Sequence, residues 1–394
     1  MKKRFIGILL AVVLIIASLA ACTPAPAPVE SKAPESSAPA ASSPAASSPA
    51  ASSPAAEEPK KLTPVKFVLP RTIEVLEDTP FWVAKTQGYW EEEGLDVSIE
   101  QSFGTTDGKM VATGQAEFAV PGPSYIITQV ANGLPIKAVF QYDAVNIWCM
   151  AFRKDSGIKT WADMKGKTVA LGDASWELLI TPTLVAAGLD PKKDLEFIVA
   201  GENRFTMVQE KKIDLLFTWI GEVYQLIPQG FEFDFLYGDD ILKNCSNAII
   251  TSTDLIQNKP ELVEGFCRGL AKGMYFNYIN PEAGADISCA KFPAIDISWK
   301  GAVAVQNGRV AQNFGFTPEA NKQLTEKIGN AFQDKWQLTM DWTVKTVEEL
   351  SAAVPLDQIY TNQFIDAANN WDKAAVEAAA KNYKFTVKDK YKPE

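Results

Sequence analysis

The segment from Thr79 to Ile99, TPFWVAKTQGYWEEEGLDVSI, carries the pattern that decides the fold. The proline after Thr79 is typical of a first helical turn, and the apolar residues that follow predict a helix ending at Gly88. Apolar and polar residues then alternate from Leu95 to Ile99, which predicts a β-strand. Because another alternating stretch, Pro64 to Leu69, precedes the helix, the segment predicts a strand-helix-strand unit of a parallel sheet.

The same alternation of short strands and helices continues along the chain. Further strands are predicted at Ala116–Val120, Thr168–Leu171 and Leu215–Phe217, and each ends in a loop that leads toward a helix. The chain is therefore predicted to be an α/β protein. Residues 62–394 exceed the size at which single hydrophobic cores stop growing, about 250 to 300 residues, so two domains are expected.

The amino-acid composition excludes several kinds of catalytic and binding site. The chain contains no histidine, which excludes Ser-His-Asp and Cys-His catalysis as well as histidine-ligated metal sites. Its formal net charge is −10, and an acidic protein lacks the basic surface that nucleic acid requires. Cysteines other than Cys22 stand at 149, 245, 267 and 289 without any Cys-x-x-Cys pair, so no metal site is indicated. Chemistry carried out by carboxylates remains open.

The first 22 residues have the order of an export signal. Lys2 and Arg4 precede an apolar run from Phe5 to Ile16, and small residues then lead to Cys22. The sequence Leu-Ala-Ala-Cys ending at Cys22 resembles the bacterial lipoprotein signal. This resemblance implies that residues 1–21 are removed and that Cys22 becomes an acylated N-terminus attached to a membrane. A plain signal peptide or a signal anchor is the alternative.

Residues 22–61 are predicted to form a lipid-anchored linker. From Thr23 onward the segment consists almost entirely of Ala, Ser, Pro and Glu, with Ala-Ala-Ser-Ser-Pro repeated around residues 40 to 55. Such a composition cannot bury enough apolar surface to form a core, and its prolines favour extended conformations. The linker would hold the folded body away from the membrane.

Short motifs along the body resemble one family of proteins. They occur in the order and spacing found at the start of nitrate/sulfonate/taurine-type and thiamine-pyrimidine-type solute-binding proteins of ABC importers. The resemblance extends from about residue 65 to 280, and its main elements are Pro80–Ala84, Gly88–Trp90, Glu93–Val97, Gly114–Ala119, Gly133–Val139, Asp163–Ala170, Gly188–Pro191 and Asn258–Val263.

The resemblance implies a type II periplasmic-binding-protein-like fold. Two α/β lobes would be joined by two crossing strands, with a ligand held in the cleft between the lobes. The implied bounds are 62–145 plus 252–394 for lobe one with its C-terminal helices, 153–243 for lobe two, and 146–152 and 244–251 for the crossing strands. Adjacent crossing strands would bring Cys149 near Cys245, as either a disulfide or two buried free thiols.

Candidate ligand contacts follow from the fold, because ligands of open α/β sheets bind where strand ends feed helix starts. The candidates are aromatic or polar residues near predicted strand ends: Trp82, Ser124, Tyr142, Trp148, Ser175, Trp176, Trp219 and Glu222. Core packing is the alternative role for each tryptophan, since aromatic side chains bury large areas wherever they lie. For Glu222 the alternative is a solvated glutamate in a first helical turn.

Two features of the sequence predict different ligands. Trp219-Ile220-Gly221-Glu222 is similar to an element with which pyrimidine-binding family members stack a flat ring and accept a hydrogen bond from its amine. A thiamine-precursor pyrimidine or a related heterocycle is therefore the first expectation. A small anion or sulfonate, bound through Arg71, Arg204 and nearby hydroxyl groups, is the second.

The predicted function is that of a monomeric, extracytoplasmic solute-binding lipoprotein that captures its ligand by lobe closure. The resemblance implies an ABC permease and ATPase as partners, with attachment to the membrane through Cys22, and it implies no cofactor. Two alternatives belong to other classes. One is a lipoprotein that presents ligand to a membrane receptor, and the other is an enzyme related to eukaryotic pyrimidine synthases, whose histidine and cysteine-rich motif this chain lacks.

Overall fold

The computed structural model describes residues 61–73, 75–103, 105–226, 230–348, 350 and 352–391. The predicted signal peptide, the lipidation at Cys22 and all of the predicted linker except Lys61 lie outside this part of the chain. Within the described residues, the strands form two five-stranded sheets, and helices pack on each of them.

The first sheet has the strand order β2-β1-β3-β10-β4. Its strands are β1 (Thr63–Leu69), β2 (Leu95–Gln101), β3 (Phe118–Ala119), β4 (Ile136–Gln141) and β10 (Ala248–Ser252). β1 pairs in parallel with β2 and β3, whereas β10 runs antiparallel to β3 and β4.

The second sheet has the strand order β7-β6-β8-β5-β9. Its strands are β5 (Trp148–Arg153), β6 (Lys167–Leu171), β7 (Leu195–Val199), β8 (Leu215–Trp219) and β9 (Phe233–Tyr237). β6 is parallel to β7 and β8, while β5 is antiparallel to β8 and β9.

Helices connect and cover the two sheets. Those up to β10 are α1 (Thr79–Thr86), α2 (Tyr89–Glu92), α3 (Thr106–Ala112), α4 (Pro123–Ala131), α5 (Glu177–Ala186), α6 (Pro191–Asp194), α7 (Arg204–Gln209) and α8 (Ile220–Leu226). Those after β10 are α9 (Thr253–Asn258), α10 (Pro260–Ile279), α11 (Pro281–Lys291), α12 (Trp299–Phe314), α13 (Pro318–Glu326), α14 (Gln333–Thr346), α15 (Leu356–Ile359), α16 (Ile365–Ala368) and α17 (Lys373–Lys381).

Each sheet has its own apolar core, so the two sheets with their helices form two α/β lobes. In lobe one, Phe266 of α10 packs against Phe67 and Phe118 on the face of the first sheet. In lobe two, Phe217 of β8 is buried with Met150 of β5. The predicted fold class, a periplasmic-binding-protein-like arrangement of two α/β lobes, is confirmed.

The lobes are connected through two segments that lie side by side. The backbone N–H groups of Tyr142 and Asp143 donate to the carbonyl oxygen of Asn247 at 3.1 and 2.9 Å, and Ser246 N–H donates back to Asp143 at 3.1 Å. The predicted crossing strands, 146–152 and 244–251, overlap these connections. Most of their residues nevertheless belong to β5 and β10, which are in different sheets and do not pair with each other.

The C-terminal helices contact both lobes. We predict from the sequence that the stretch from Thr317 onward packs behind lobe one, but α14 packs against α5 of lobe two as well as α4 of lobe one. α12, which precedes that stretch, packs against α8 of lobe two. α14 contacts both lobes because its apolar residues Trp336 and Met340 belong to a core cluster that contains Ile126 of α4 and against which Leu178 of α5 packs.

The four cysteines in the described part of the chain are free and buried. β5 carries Cys149 into the second sheet, whereas Cys245 contacts Thr339 of α14 at 3.6 Å, so the two thiols have different surroundings. Among the described residues, no helix combines the length and the apolar character needed to cross a membrane.

Candidate functional site

A cleft between the lobes contains two adjacent chambers that share some of their lining residues. The inner chamber, about 540 Å³ counting the open solvent at its mouth, is lined by Pro70, Arg71, Glu77, Gly122, Tyr125, Ile147, Trp148, Ser175, Trp176, Leu179, Trp219, Asn247 and Arg309. The outer chamber, about 1630 Å³ counting the solvent at its mouth, shares Pro70, Arg71, Trp176 and Trp219 with the inner one. Its other lining residues include Gln101, Ser102, Phe103, Asp173, Glu202, Arg204 and Glu222.

Strand ends bring these residues together. β1 ends at Leu69, immediately before Pro70 and Arg71, and β6 ends at Leu171, before the turn that carries Trp176. β8 ends at Trp219 itself. Parallel strands of open α/β sheets present their carboxyl ends to the ligand crevice, so both lobes contribute residues to one site.

Three tryptophans form the wall that lobe two contributes. The register of β5 and β8 places Trp148 directly opposite Trp219, on the same face of the sheet. The ring of Trp176 meets that of Trp219 edge to face, with centroids 5.7 Å apart. Aromatic rings offer a large, rigid contact area at little cost in conformational entropy, so this wall is suited to a flat apolar or conjugated ligand.

Two arginines in the inner chamber are already paired with buried carboxylates. Arg71 donates to both oxygens of Asp78, from Nε at 3.1 Å and from Nη2 at 2.6 Å. Arg309 of α12 pairs with Asp143 on the connecting segment. Because Asp78 and Asp143 are completely buried, each arginine is neutralised by a carboxylate that water does not screen.

Glu77 lies at the junction of the lobes and is only 2% exposed. Its Oε2 accepts a hydrogen bond from the indole N–H of Trp219 at 2.5 Å. Burial, together with the negative charge of neighbouring Asp78, raises the pKa of Glu77 to about 8. The neutral carboxyl form therefore predominates at pH 7.

A second hydrogen bond crosses the cleft. Tyr125 of α4 in lobe one donates its hydroxyl to the carbonyl oxygen of Ser175 in lobe two, at 2.6 Å. Gly122, one turn earlier, leaves room for Leu179, whose Cδ2 would lie 2.6 Å from a side-chain carbon at position 122. The lobes are thus in direct contact around the inner chamber, and this conformation is closed.

The structure brings five of the eight predicted contacts to the cleft. Trp148, Ser175, Trp176 and Trp219 line the inner chamber, and Glu222 lines the outer one. Their positions agree with the expectation that ligand contacts lie at strand ends. Each residue lies at or just beyond an end of β5, β6 or β8.

Glu222 has a partner that the sequence did not suggest. It lies within hydrogen-bonding distance of Arg204 Nη2 at 2.5 Å, and it also accepts a hydrogen bond from the hydroxyl of Thr218. Burial raises the pKa of Glu222, and the positive charge of Arg204 opposes that rise. The side chain is therefore not a solvated glutamate, and its carboxylate already has two protein partners at the wall of the outer chamber.

Three predicted contacts lie elsewhere. Trp82 packs edge to face against Phe292 in a separate core cluster. Ser124 faces the hydroxyl of Thr343 at 3.3 Å, and fully buried Tyr142 stacks on Phe81 beneath the cleft. These residues are near predicted strand ends, but the turn of each helix or chain segment directs their side chains away from the chambers.

Sequence reasoning did not select several residues of the inner chamber, notably Glu77, Asn247 and Arg309. For Arg309 a signal exists, because α12 buries Gln306, Arg309, Gln312 and Asn313, which are polar residues at helical spacing. A helix that buries a polar stripe must direct it toward polar partners or a ligand. Asn247 lies on a short connection without a comparable periodic signal.

No group of three or more histidine, cysteine or acidic residues arranged to hold a metal ion occurs in the part of the chain that the structure describes.

A family model described as NMT1/THI5-like matches residues 76–284, slightly more than half of the chain. The chain is 26% identical over 301 residues to the riboflavin-binding protein RibY of Chloroflexus aurantiacus, covering 74% of this chain and 83% of that protein. It is 24% identical over 305 residues to a 4-amino-5-hydroxymethyl-2-methylpyrimidine phosphate synthase of Legionella pneumophila, covering 73% and 88%.

Among solved structures, the periplasmic aliphatic sulphonate binding protein SsuA of Escherichia coli is similar to this chain with a TM-score of 0.51. The match covers 75% of this chain and 91% of that protein at 14% identity. Identity at this level shows a shared fold and nothing further about the ligand.

Proposed function

Because the chain belongs to the NMT1/THI5-like family, we propose that it is an extracytoplasmic solute-binding protein that captures a planar, neutral heterocycle between its two lobes. The observation that carries this proposal is the wall of Trp148, Trp176 and Trp219 in a chamber whose charged groups are internally balanced.

The aromatic wall supports a flat ligand. The three indoles come from β5, from the turn after β6 and from the end of β8, so the lobe-two core fixes their positions. A conjugated ring gains stacking area and dispersion contacts from them, and a flexible aliphatic chain would gain less.

Charge balance supports a neutral ligand over an anion. Arg71 is paired with Asp78, Arg309 with Asp143, and Glu77 is mainly uncharged at pH 7. A sulfonate or nitrate ion would need a cation or donors without a competing carboxylate. The inner chamber offers its paired arginines, Asn247 and Glu77 instead, which suit the donor and acceptor atoms of a heterocycle.

The relatives favour the same ligand class. RibY is named for riboflavin binding and the Legionella protein for a pyrimidine phosphate, and both compounds contain a planar nitrogen heterocycle. The Legionella protein is named a synthase, so the alternative function is an enzymatic one. We assign this chain to the binding class, because it contains no histidine and the inner chamber offers no unpaired nucleophile-base arrangement among its lining residues.

The proposed mechanism is capture by closure. An open cleft admits the ring onto one lobe, and closure forms the Glu77–Trp219 and Tyr125–Ser175 hydrogen bonds across it. The closed form would then dock on an ABC permease whose ATPase supplies the energy for import. Acylated Cys22 would hold the monomeric protein at the outer face of the bacterial cell membrane, with residues 22–61 as a spacer.

The test is a binding panel followed by calorimetry and tryptophan fluorescence. It contains lumichrome, riboflavin, 4-amino-5-hydroxymethyl-2-methylpyrimidine and an alkanesulfonate. We expect at least one ring compound to bind and the alkanesulfonate not to bind. Trp176→Ala should weaken ring binding about 10-fold or more, since a lost stacking contact costs on the order of 1–3 kcal/mol.

The matched control is Trp342→Ala, which removes a half-buried tryptophan on α14 that contacts Lys345 and lines neither chamber. Its ring affinity should equal that of the unmodified protein. Binding of the alkanesulfonate alone, unaffected by Trp176→Ala, would overturn the proposal.

A further inference from the structure

Lobe two covers the carboxyl group of Glu77, a residue of lobe one. Glu77 lies in the connection between β1 and α1 and lines the inner chamber. Its Oε2 accepts a hydrogen bond from the indole N–H of Trp219 at the end of β8. The same oxygen lies against Gly221 of α8, where a side-chain carbon would collide with it. Since both neighbours belong to lobe two, the carboxyl group loses its contact with water when the lobes close.

The charged groups around Glu77 do not balance. Two guanidinium groups, those of Arg71 and Arg309, face three carboxyl groups, those of Glu77, Asp78 and Asp143. Arg71 pairs with Asp78 and Arg309 pairs with Asp143, so each cation already has a carboxylate. Within the described part of the chain, Glu77 forms no ion pair of its own. An ionised Glu77 would therefore be a buried charge without a partner, which is costly.

The other elements packed around Glu77 do not supply a cation for it. α8 of lobe two contributes Glu222, whose negative charge opposes ionisation of Glu77. α12 contributes Arg309, and the segment of Glu77 itself contributes Arg71 and Asp78. Burial has the largest effect, and together with the charge of Asp78 it raises the pKa of Glu77 from 4.5 to about 8, although the two arginines oppose the rise.

Closure therefore changes the preferred protonation state of Glu77. With the lobes apart, the carboxyl group is solvated and has the ordinary pKa of a glutamate, about 4.5, so it is ionised near neutral pH. In the closed form it is neutral. A group whose pKa is raised by closure stabilises the closed form at low pH, and this stabilisation is lost as the pH rises from about 4.5 toward about 8.

We propose that ligand capture by this protein is coupled to the uptake of one proton by Glu77. The inference rests on the proposed function, because lobe closure around a ring is the step to which the proton is linked. Acidic surroundings would then favour capture of the ligand, and alkaline surroundings would favour its release.

Calorimetry with riboflavin and lumichrome as probes tests the coupling, since both compounds are uncharged between pH 5.5 and 7. Titrations at pH 7 in phosphate and in Tris, two buffers with different ionisation enthalpies, give the number of protons taken up per ligand bound. We expect close to one proton for the unmodified protein. Its affinity should fall by about 10-fold per pH unit between pH 5.5 and 7.

Two variants assign the proton to one residue. Glu77→Gln has a neutral side chain of the same size, so it should bind without proton uptake and with an affinity that does not depend on pH. At pH 7 it should bind at least about 10-fold more tightly than the unmodified protein, because closure no longer requires a proton.

Asp107→Asn is the matched control. Asp107 is also completely buried, and burial raises its pKa to about 7. The helix that carries it, α3, packs against β3, β4 and β10 of lobe one, so closure does not change its surroundings. This variant should take up the same number of protons on binding as the unmodified protein.

The outcomes separate the coupling from ring capture. Ring binding without proton uptake, or with an uptake that survives Glu77→Gln, overturns the coupling and leaves ring capture standing. An affinity that rises with pH also overturns it, because an ionised Glu77 would then favour the closed form. If no ring compound binds at any pH, ring capture fails, and the coupling fails with it.

Discussion

At the scale of single residues, Glu77 shows how closure changes the chemistry of a side chain. The carboxyl group would be solvated if the lobes were apart, but in the closed form it lies against Trp219 and close to Gly221. Removing water disfavours the ionised form, so closure and protonation of Glu77 are thermodynamically linked.

Replacement of Glu77 by glutamine should change the pH dependence of stability. The pKa of Glu77 is raised from 4.5 to about 8 in the folded protein, so its contribution to stability is greatest below pH 4.5 and falls as pH rises toward 8. Glu77→Gln keeps an acceptor for Trp219 but does not titrate. Between pH 5 and 8 its unfolding free energy should fall less steeply than that of the unmodified protein, by up to about 1.4 kcal/mol per pH unit.

The measurement is urea unfolding at several pH values with both proteins. Asp107 and Asp143, whose pKa values burial raises to about 7 and about 6, contribute slopes of the same sign to both proteins and cancel in the comparison. Identical slopes in the two proteins would contradict the assignment of a titrating Glu77.

Glu222 and Glu202 both contact Arg204, and they differ in exposure. The Glu222 side chain is 14% exposed, whereas that of Glu202 is 86% exposed. Glu222→Ala should lower the unfolding free energy by about 3 kcal/mol, because it leaves a buried guanidinium without its carboxylate. Glu202→Ala should change it by less than about 1 kcal/mol, as surface ion pairs usually contribute little.

Chemical denaturation of both variants tests this prediction, with ring binding measured alongside. A Glu222→Ala protein that is as stable as its parent but no longer binds the ring would instead restore Glu222 as a direct ligand contact, as the sequence pattern suggested.

At the scale of elements, the contact between α1 and α10 shows how lobe one depends on close helix packing. Gly273 of α10 lies against α1, and a side-chain carbon there would be 2.4 Å from the carbonyl oxygen of Pro80. Gly265 lies two turns earlier on the same helix, where its nearest neighbour would be Glu93 Cβ at 3.2 Å. A contact of 2.4 Å forces α10 and α1 apart, whereas a contact of 3.2 Å requires a shift of only a few tenths of an ångström, so the two glycines differ in what they tolerate.

Substitution of Gly273 by alanine should destabilise the protein by about 1–3 kcal/mol, because α10 must move away from α1. Gly265→Ala is the matched control on the same helix. It gains up to about 1 kcal/mol of helix propensity, which offsets the small shift that the 3.2 Å contact with Glu93 Cβ requires, so its stability should stay close to that of the parent. Thermal and urea unfolding of both variants give the comparison, and equal effects would contradict the tight contact.

At the scale of the whole molecule, closure of the cleft depends on hydrogen bonds between residues of different lobes. Tyr125 and Ser175 form one of them, since the tyrosine hydroxyl on lobe one donates to the carbonyl oxygen of Ser175 on lobe two. Its loss should therefore affect the closed form more than the stability of each core.

Replacement of Tyr125 by phenylalanine should speed ligand dissociation by about 2- to 10-fold, the equivalent of one hydrogen bond worth roughly 0.5–1.5 kcal/mol. The control is Tyr89→Phe, since the Tyr89 hydroxyl is buried without a partner among the described residues. Its dissociation rate should be unchanged. Stopped-flow fluorescence measures both rates, and equal rates for the two variants would show that the Tyr125 hydroxyl does not hold the cleft closed.

Local patterns in the sequence determined the α/β alternation, the family and the part of the site that lies at strand ends. Trp148, Ser175, Trp176 and Trp219 could be selected because a strand end is a local feature that alternation and loop residues reveal. The absence of histidine likewise limited the chemistry without any structure.

Tertiary structure alone decided which charges meet and which aromatic rings enter the cleft. Arg309 and Asp143 are 166 positions apart, and Trp219 and Glu77 are 142 apart, so no local period can pair them. Trp82 lies at a helix start as predicted, yet its side chain points toward Phe292, because packing against α10 and α11 sets the rotation of α1. Periodicity specifies which face of an element is apolar, while the neighbour of that face depends on contacts between residues far apart in the chain.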